Sequence, residues 1–281
     1  MNFTTISGII LGVFVILFGI LDNEDWDKTK GAFDTAMMLQ QLKSFFDLKS
    51  ISIVLFGSFA ATMINFSFDK IIGVFKVAAN AFKKQPNREV ETVEVLLKLS
   101  QTYHSDGPKG LDKINKTVDD PFLHNAVEMV AVETNNDRYK NFLESEKNSM
   151  IQRHEQGREI LSNLGTYAPA FGMLGTVMGL ILMMMANVGA DSMDIDLTKV
   201  LTKMGLALRT TFYGVVLANL IFIPISGKLK NMSLKDVYIR EIMIEGLSCI
   251  HRKEHPLIVQ DKLLAYLPLE LKLKFKKDGK K

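Results

Sequence analysis

The sequence is poor in the residues that build disulfides, metal centres and hydrolytic sites. It holds one cysteine, Cys249, which has no partner for an intrachain disulfide and no neighbouring motif that stabilises a thiolate. His251 and His255 stand four residues apart, but with no third ligand nearby we expect no metal site. Walker and dinucleotide loops, GxSxG and HExxH are all missing. We therefore expect neither an enzyme nor a resident cofactor, and no nucleic-acid partner.

Acidic residues are also missing from the longest apolar runs. These runs are Phe3–Leu21, Ile51–Phe68, Tyr167–Val188 and Thr210–Gly227. Each has about 18 residues or more, enough to cross a hydrocarbon core of roughly 30 Å at about 1.5 Å per residue. The sequence thus predicts an all-α membrane protein with four transmembrane helices. The first run has no basic segment before it and no small-residue cleavage site after it, so we expect an uncleaved span rather than a signal peptide.

Lysine is distributed unevenly around these runs. Segment 22–50 carries four lysines against six acidic residues, and the connection between the third and fourth runs carries Asp191, Asp194 and Asp196. Lysines cluster instead after the second and fourth runs. Because cytoplasmic flanks attract Lys and Arg, both termini and the large middle region are expected in the cytoplasm.

This topology divides the chain into parts that share a location. Residues 1–68 hold the first two transmembrane helices and an extended periplasmic loop (22–50), and residues 69–160 form a helical cytoplasmic domain inserted between transmembrane helices 2 and 3. Residues 161–229 hold transmembrane helices 3 and 4, and residues 230–281 form cytoplasmic helices and a basic tail. Ala36–Phe46 has helical spacing and predicts a short helix at the outer membrane surface.

Capping signals predict the cytoplasmic helices. Glu89–Tyr103 should end near Gly107, and Asp120 followed by Pro121 should begin a new helix. A polar helix from Arg138 is expected to run directly into the third span, and no strand is expected in this region.

Further helices flank the second and fourth spans. The helix of the second span is expected to continue through Ile71–Phe82. After the fourth span, Val237–Ile250 and Pro256–Leu267 predict two helices, and 272–281 a basic tail that either is solvated or contacts anionic lipid.

Small residues recur at three- and four-residue steps along both of the last two spans. One helix carries Gly165, Ala168, Gly172, Thr176 and Gly179, with Gly175 beside them, and the other carries Ala207, Thr211, Gly214 and Ala218. Such seams let transmembrane helices approach closely. Each helix also has a proline, Pro169 or Pro224, which indicates a kink or a hinge.

The hydroxyls on these seams have two open interpretations. Thr176, Thr210 and Thr211 either bond to backbone and the neighbouring helix, or provide hard oxygen ligands for a translocated cation. Neither helix contains a carboxylate, although an ion pathway usually needs one. If ions pass here, the carboxylate must come from another chain, and the seam would receive that partner's helix.

Three stretches together resemble one family. RHEQGREILSNLGTYAPAFGMLGTVMGLI, LRTTFYGVVLANLIFIPISGKL and IREIMIEGLSCI, with LLAYLP near the end, are similar to MotA-type flagellar stator proteins of the MotA/TolQ/ExbB group. The resemblance covers Arg153 to about Pro268 and is weaker over the first two spans. It implies an inner-membrane stator subunit that converts ion flow into torque.

The resemblance also implies partners. Five copies of the chain would surround two copies of a single-span, peptidoglycan-anchored MotB-type subunit that contributes the ion-carrying aspartate. The cytoplasmic loop would push on the rotor protein FliG, and Pro169 and Pro224 match prolines that couple ion flow to conformational change. Thr176, and the pair Thr210 and Thr211, match sodium-type (PomA-like) members, so sodium is favoured over protons.

Two departures from the family pattern affect this comparison. The rotor-facing loop aligns as HSDGPKGLD, with His104 in place of Arg, Asp112 in place of Glu, and Lys109 as a displaced positive charge. Arg209 stands where an apolar residue is usual.

Two other functions are less consistent with the sequence. A TolQ/ExbB-like energiser of outer-membrane processes usually has three spans, and here a fourth is expected. A self-contained transporter would carry a carboxylate or inverted repeats in its own spans, and the sequence has neither.

Overall fold

The computed structural model describes residues 3–20, 26–27, 32–33, 35–83, 88–115, 120–185 and 197–278, and these are helical almost throughout. The helices before residue 136 are α1 (Phe3–Ile20), α2 (Thr35–Phe45), α3 (Leu48–Asn65), α4 (Phe68–Asn80), α5 (Glu89–Asp106), α6 (Pro108–Asn115) and α7 (Pro121–Val132). Those after it are α8 (Asn136–Met185), α9 (Leu197–Val216), a π-helical segment (Leu217–Phe222), α10 (Ile223–His251), α11 (Pro256–Tyr266) and α12 (Leu269–Asp278). The all-helical prediction is confirmed at this level.

A small antiparallel ladder departs from it. Strands β1 (Trp26–Asp27) and β2 (Ala32–Phe33) pair Trp26 with Phe33 and Asp27 with Ala32. The ladder lies in segment 22–50, where the sequence predicts only one short helix; that helix is α2. The acidic connection 191–196 lies outside the described residues.

Three helical stretches of the described chain are long and apolar enough to cross a membrane. They are Leu39–Asn65, Asn136–Met185 and Leu197–His251. A shorter apolar helix, Thr4–Ile20, accompanies them. The structure therefore supports a membrane protein with several spans, and the fourth span rests on α1.

The chain divides into two compact units, each built from two separate stretches. The first unit is Met1–Lys84 with Gln156–Lys230, and the second is Gln85–Glu155 with Asn231–Lys281. Helices α8 and α10 each contain residues of both units. In the first unit α3 packs against α9, whereas in the second α5 packs against α6 and α11.

Local capping explains where the helices of the second unit begin and end. α5 ends at Gly107, whose φ of +65° is a left-handed conformation that glycine adopts without strain. α7 begins where the Asp120 carboxylate accepts from the backbone N–H groups of Phe122 and Leu123, with Pro121 in the first turn. His255 caps α11 in the same way, ahead of Pro256.

Three boundaries differ from the sequence-based expectation. α3 and α4 are separate helices, because Phe66 and Ser67 have extended backbone angles. The fourth span continues without a break through α10 to His251, so Val237–Ile250 is not a separate helix. The first seven residues of the basic tail 272–281 are helical, as part of α12.

The core of the second unit forms around a buried tyrosine. Tyr139 is fully buried, donates from its hydroxyl to the Ala126 carbonyl at 3.0 Å, and stacks on the His251 imidazole with ring centroids 4.5 Å apart. Burial raises the pKa of Tyr139. The His251 ring also contacts the Glu133 carbonyl and the Asn136 side chain. This stack ties the end of α10 to the junction of α7 and α8.

The single cysteine has an unreactive thiol. Cys249 is fully buried, and burial together with Glu254 and Glu245 raises the pKa of its thiol to about 12. At neutral pH the thiol is protonated, in keeping with the inert group expected from the sequence.

Asp120 joins α7 to α10 by a part-buried ion pair. Its Oδ1 lies 2.5 Å from Nη1 of Arg240, whose guanidinium stacks over the Phe122 ring at 4.6 Å. The same oxygen caps α7, so one carboxylate stabilises both a helix start and a helix–helix contact.

Replacing Asp120 by alanine should therefore destabilise α7. Loss of the cap and of the Arg240 partner should cost about 2–4 kcal/mol and speed amide exchange in α7, measured by hydrogen exchange on the full chain. The control is Asp261→Ala, since Asp261 is exposed and lies within α11. Equal exchange in the two variants would contradict the assigned role.

Candidate functional site

The last half of α8 and α9 form a hairpin whose backbones touch. A Cβ atom placed on Gly214 would lie 2.6 Å from the Ala168 carbonyl oxygen and 3.1 Å from the Pro169 Cα. A Cβ on Gly172 would lie 3.0 Å from the Thr210 carbonyl oxygen and 3.2 Å from the Thr211 Cα. Because these contacts are with backbone rather than flexible side chains, only glycine permits this approach.

The contact continues along the seam in both directions. A Cβ on Gly175 would lie 2.6 Å from the Thr210 side chain, and one on Gly179 would lie 2.7 Å from the Ala207 Cβ. Ala168, Ala207 and Ala218 are all buried. The small residues singled out by their spacing thus meet across the hairpin.

Two threonine hydroxyls bridge the helices at the centre of the seam. Thr176 and Thr211 hydrogen-bond to each other through their Oγ1 atoms. Thr176 Oγ1 also lies 3.2 Å from the Gly172 carbonyl oxygen of its own helix and 3.3 Å from the Ala207 carbonyl oxygen of α9. Thr211 Oγ1 lies 3.4 Å from the same Gly172 oxygen.

This arrangement has more acceptors than protons. Thr176 and Thr211 supply one hydroxyl proton each, whereas two carbonyl oxygens and the two hydroxyl oxygens themselves can accept. The protons can therefore be redistributed without moving a heavy atom. Either one hydroxyl donates to the other, or both donate to carbonyls and leave two oxygens with free lone pairs.

Thr210 has a different environment. It is fully buried, packs against Gly175, and donates to the Ala207 carbonyl of its own helix at 2.8 Å. The structure thus brings Thr176 and Thr211 together and places Thr210 in the packing between helices.

The two prolines interrupt their helices differently. α8 continues through Pro169, which lacks the N–H that would bond to the Gly165 carbonyl. Pro224 lies two residues after the last residue of the π-helical segment, and between them the Ile223 N–H donates to the Ala218 carbonyl, five residues back. Such a wide turn accommodates the missing donor of a proline without breaking the helix. Ile223 lies against Gly165.

A polar network beside the hairpin is absent from the sequence-based predictions. Tyr213 on α9 donates from its hydroxyl to the Phe45 carbonyl at 2.5 Å and accepts from the Asp47 N–H at 3.1 Å. Asp47 caps α3 and lies near enough to Arg209 for an electrostatic interaction. More than 160 positions separate Tyr213 from its partners, so no local motif could identify the network.

The outer face of the hairpin is apolar and exposed. Large side chains of α8 are exposed there, including Met173, Val177 and Ile181, spaced four residues apart. A groove of about 730 Å³ also runs between α1 on one side and α9 with the π-helical segment on the other, with Thr211 and Asn219 as its polar lining residues and Gly12 on the opposite wall. Thr211 therefore borders both the hydroxyl pair and this groove.

The predicted rotor-contact residues lie at the end of α5 and the start of α6. The exposed His104 ring contacts His255 edge to face at 5.2 Å. Lys109 is exposed in the first turn of α6. Asp112 belongs to α6, but its side chain lies outside the described residues.

The two histidines considered for a metal have other partners. His251 stacks on Tyr139 and bonds near the start of α8, whereas His255 uses Nδ1 to cap α11. Among the described residues no three His, Cys, Asp or Glu side chains are grouped so as to hold a metal ion.

Comparisons of sequence and of structure with known proteins agree on one family. Residues 114–242 match the model of the MotA/TolQ/ExbB proton channel family. The chain is 33% identical to Motility protein A of Treponema phagedenis over 79% of this chain and 83% of that protein. It is 26% identical to the chemotaxis protein PomA of Vibrio alginolyticus, over 79% and 85%. The structure of the flagellar MotAB stator complex from Bacillus subtilis superposes with a TM-score of 0.77 at 27% identity, covering 96% of this chain and 98% of that one.

Replacing Gly214 by alanine should separate the hairpin. The new Cβ would meet the Ala168 carbonyl, which cannot rotate away, so we expect a loss of about 1–3 kcal/mol and a lower thermal midpoint in detergent. The control is Gly227→Ala, because a Cβ on Gly227 meets nothing within 4 Å. A Gly214→Ala variant as stable as this control would contradict the close approach.

Proposed function

The chain belongs to the MotA/TolQ/ExbB proton channel family, a family of ion channels and not of enzymes, and we propose that it is the stator subunit of a bacterial flagellar motor. Its relatives named Motility protein A and its likeness to a flagellar stator complex support this assignment. The subunit lies in the inner membrane and forms an ion channel with a second type of chain. Ion flow through that channel produces torque on the rotor protein FliG.

The hydroxyl pair on a glycine seam without a carboxylate is the observation that carries this proposal. Thr176 and Thr211 form a hydrogen-bonded hydroxyl pair inside the hairpin, and neither helix holds an acidic residue there. A channel built this way needs a titratable or ion-binding group from elsewhere. A MotB-type subunit supplies it, as two copies within a ring of five copies of this chain. The exposed apolar side chains of α8 face that partner or a neighbouring copy.

Four spans fit this assembly better than three. α1 has 18 residues, which at about 1.5 Å per residue gives roughly 27 Å, close to a hydrocarbon core. The lysines after the second and fourth spans favour a cytoplasmic location for both termini and for the second unit. The likeness of nearly the whole chain to a flagellar stator favours this function over a TolQ/ExbB-like energiser.

The conducted ion is sodium in this proposal. When Thr176 donates to the Ala207 carbonyl and Thr211 donates to the Gly172 carbonyl, both hydroxyl oxygens present lone pairs to the same space. A hard cation favours such oxygen ligands, and the partner's carboxylate would balance its charge.

Coupling of ion flow to movement uses the prolines. Pro169 and the π segment before Pro224 are the points where backbone hydrogen bonds are missing or stretched in the two long helices. Both helices continue from the hairpin into the second unit. A change of bend at these points is therefore a direct way for ion flow to change the course of the two long helices.

Removing both bridging hydroxyls should abolish sodium-driven motion. In a strain without its own copy of the gene, Thr176→Ala with Thr211→Ala should lower sodium-dependent swimming speed at least about tenfold, because a cation loses two oxygen ligands. Complex assembly, checked by size-exclusion chromatography, should persist. The matched control is Thr166→Ala with Thr202→Ala, since these exposed threonines bond only to their own helices. Equal swimming of the unmutated protein without sodium would refute the sodium assignment.

Pro169→Leu tests the stator function and the hinge together. The unmutated gene should restore rotation to the deletion strain, whereas the leucine variant should insert, bind the MotB-type partner and fail to rotate. A leucine restores the missing backbone hydrogen bond and stiffens α8 at that turn. Rotation at normal torque would remove the hinge role, and failure of the unmutated gene to restore motility would refute the stator assignment.

A further inference from the structure

Arg209 is a charged residue beside the hydroxyl pair, and the pair itself makes no use of it. It lies on α9 two residues before Thr211, which is a rise of about 3 Å along the helix axis. Its side chain is half-buried at the start of the fourth span. A charge this close to a hydrocarbon core is costly, so it indicates a function and a counter-charge nearby.

The guanidinium lies back along α9, over Gly205. A Cβ placed on Gly205 would lie 2.9 Å from Nη2 and 3.6 Å from Cζ of Arg209. The glycine one turn earlier therefore leaves the room that the guanidinium occupies, and the charge is directed toward the start of α9. Among the described residues Arg209 has no hydrogen bond and no direct ion pair, and its electrostatic partner is Asp47.

Two contacts hold the Asp47 turn against the same stretch of α9. The Tyr213 hydroxyl, one turn after Arg209, accepts from the Asp47 N–H at 3.1 Å. The Ser50 hydroxyl donates to the Asp47 carboxylate. It also lies 3.5 Å from the carbonyl oxygen of Leu206, about one turn before Arg209. The Asp47 carboxylate is therefore held beside Arg209, farther away than a direct ion pair, and offsets its charge through space.

The lysines at this end of the hairpin are less able to act on an ion inside it. Lys43 and Lys49 are exposed, so salt screens their charges over about 8 Å at 0.15 M ionic strength. Lys203 lies six residues, or about 9 Å, farther out along α9 than Arg209. Arg209 and Asp47 are both half-buried beside an apolar span, where screening is weaker.

We propose that Arg209 sets the sodium requirement of the channel and that Asp47 offsets part of its effect. The inference rests on the proposed function. Arg209 repels a cation that arrives at the Thr176 and Thr211 oxygens from outside, and so weakens sodium binding there. Asp47 attracts the same cation. The two residues thus determine, with opposite signs, the sodium concentration at which the motor reaches half its maximal speed.

A sodium titration of swimming speed separates the two signs. Speed is measured against sodium at constant ionic strength, with potassium as the replacing ion, in a strain without its own copy of the gene. Arg209→Leu should lower the half-saturating sodium concentration at least about threefold, and Asp47→Asn should raise it by about the same factor. Maximal speed at saturating sodium should not change in either variant. The double variant should return close to the unmutated value.

The substitutions and their controls keep the fold. Asparagine caps a helix as well as aspartate does, so Asp47→Asn should preserve the start of α3. The matched control is Lys49→Gln, which removes an exposed positive charge near Asp47 and should leave the half-saturating concentration unchanged. Arg209→Lys keeps the charge and should resemble the unmutated chain. A lysine variant that behaves like the leucine variant would overturn the role of charge.

A purely structural role of the two residues gives a different pattern. Arg209→Leu would then raise the half-saturating concentration or lower the maximal speed, as Asp47→Asn would, and either result overturns the proposal. Added choline chloride screens charges, so it should narrow the difference between Arg209→Leu and the unmutated chain. A difference that stays constant would overturn the electrostatic cause.

Two results would count against the proposed function itself. An unmutated chain that restores no rotation refutes the stator function, and one that rotates equally without sodium refutes the sodium assignment; the inference falls with either. Sodium-dependent rotation with the same half-saturating concentration in all variants leaves the stator function standing and refutes the role of Arg209 alone.

Discussion

The contact between the backbones of α8 and α9 at Gly172 and Gly214 is the constraint on which the rest of the hairpin depends. In lipid, apolar side chains gain nothing by leaving hydrocarbon for one another, so helices associate through packing and hydrogen bonds. Only at this separation do the Thr176 and Thr211 oxygens reach each other and the opposite backbone. The hydroxyl pair is thus a result of the glycine seam, and a larger residue on the seam would alter both.

The second unit is held together by a different kind of interaction. It has a hydrophobic core like that of a water-soluble protein, with Leu96, Tyr139 and Leu247 fully buried and ion pairs such as Asp120–Arg240 at its edge. Helices α8 and α10 therefore each have one part in the apolar first unit and another part whose side chains pack in this core.

The sequence predicted features that depend on local chemistry. The glycine seam, the Asp120 cap with Pro121, and the end of α5 at Gly107 can all be read from residue type and spacing. The break between α3 and α4 falls at Phe66 and Ser67, where no glycine or proline marks it. Contacts that depend on distant segments, such as Tyr213 with Asp47, have no local signature either. The sequence pattern gave the three threonines the same predicted role, and only the packing in the structure distinguishes Thr210 from Thr176 and Thr211.

The π-helical segment before Pro224 changes which residue numbers share one face of this helix. A wide turn is equivalent to one inserted residue, and each residue of an α-helix turns the chain by about 100°. Side chains of α10 are therefore out of phase with a helical wheel drawn from α9, and the face that starts with Ala207 continues through Ile223 and not through Phe222 alone. A homologous chain with one residue fewer and an ordinary α-helical turn here would keep the same side chains on each face of α10, because the wide turn absorbs the extra residue. The turn thus lets the chain accept an insertion beside Pro224 without rotating the helix that follows.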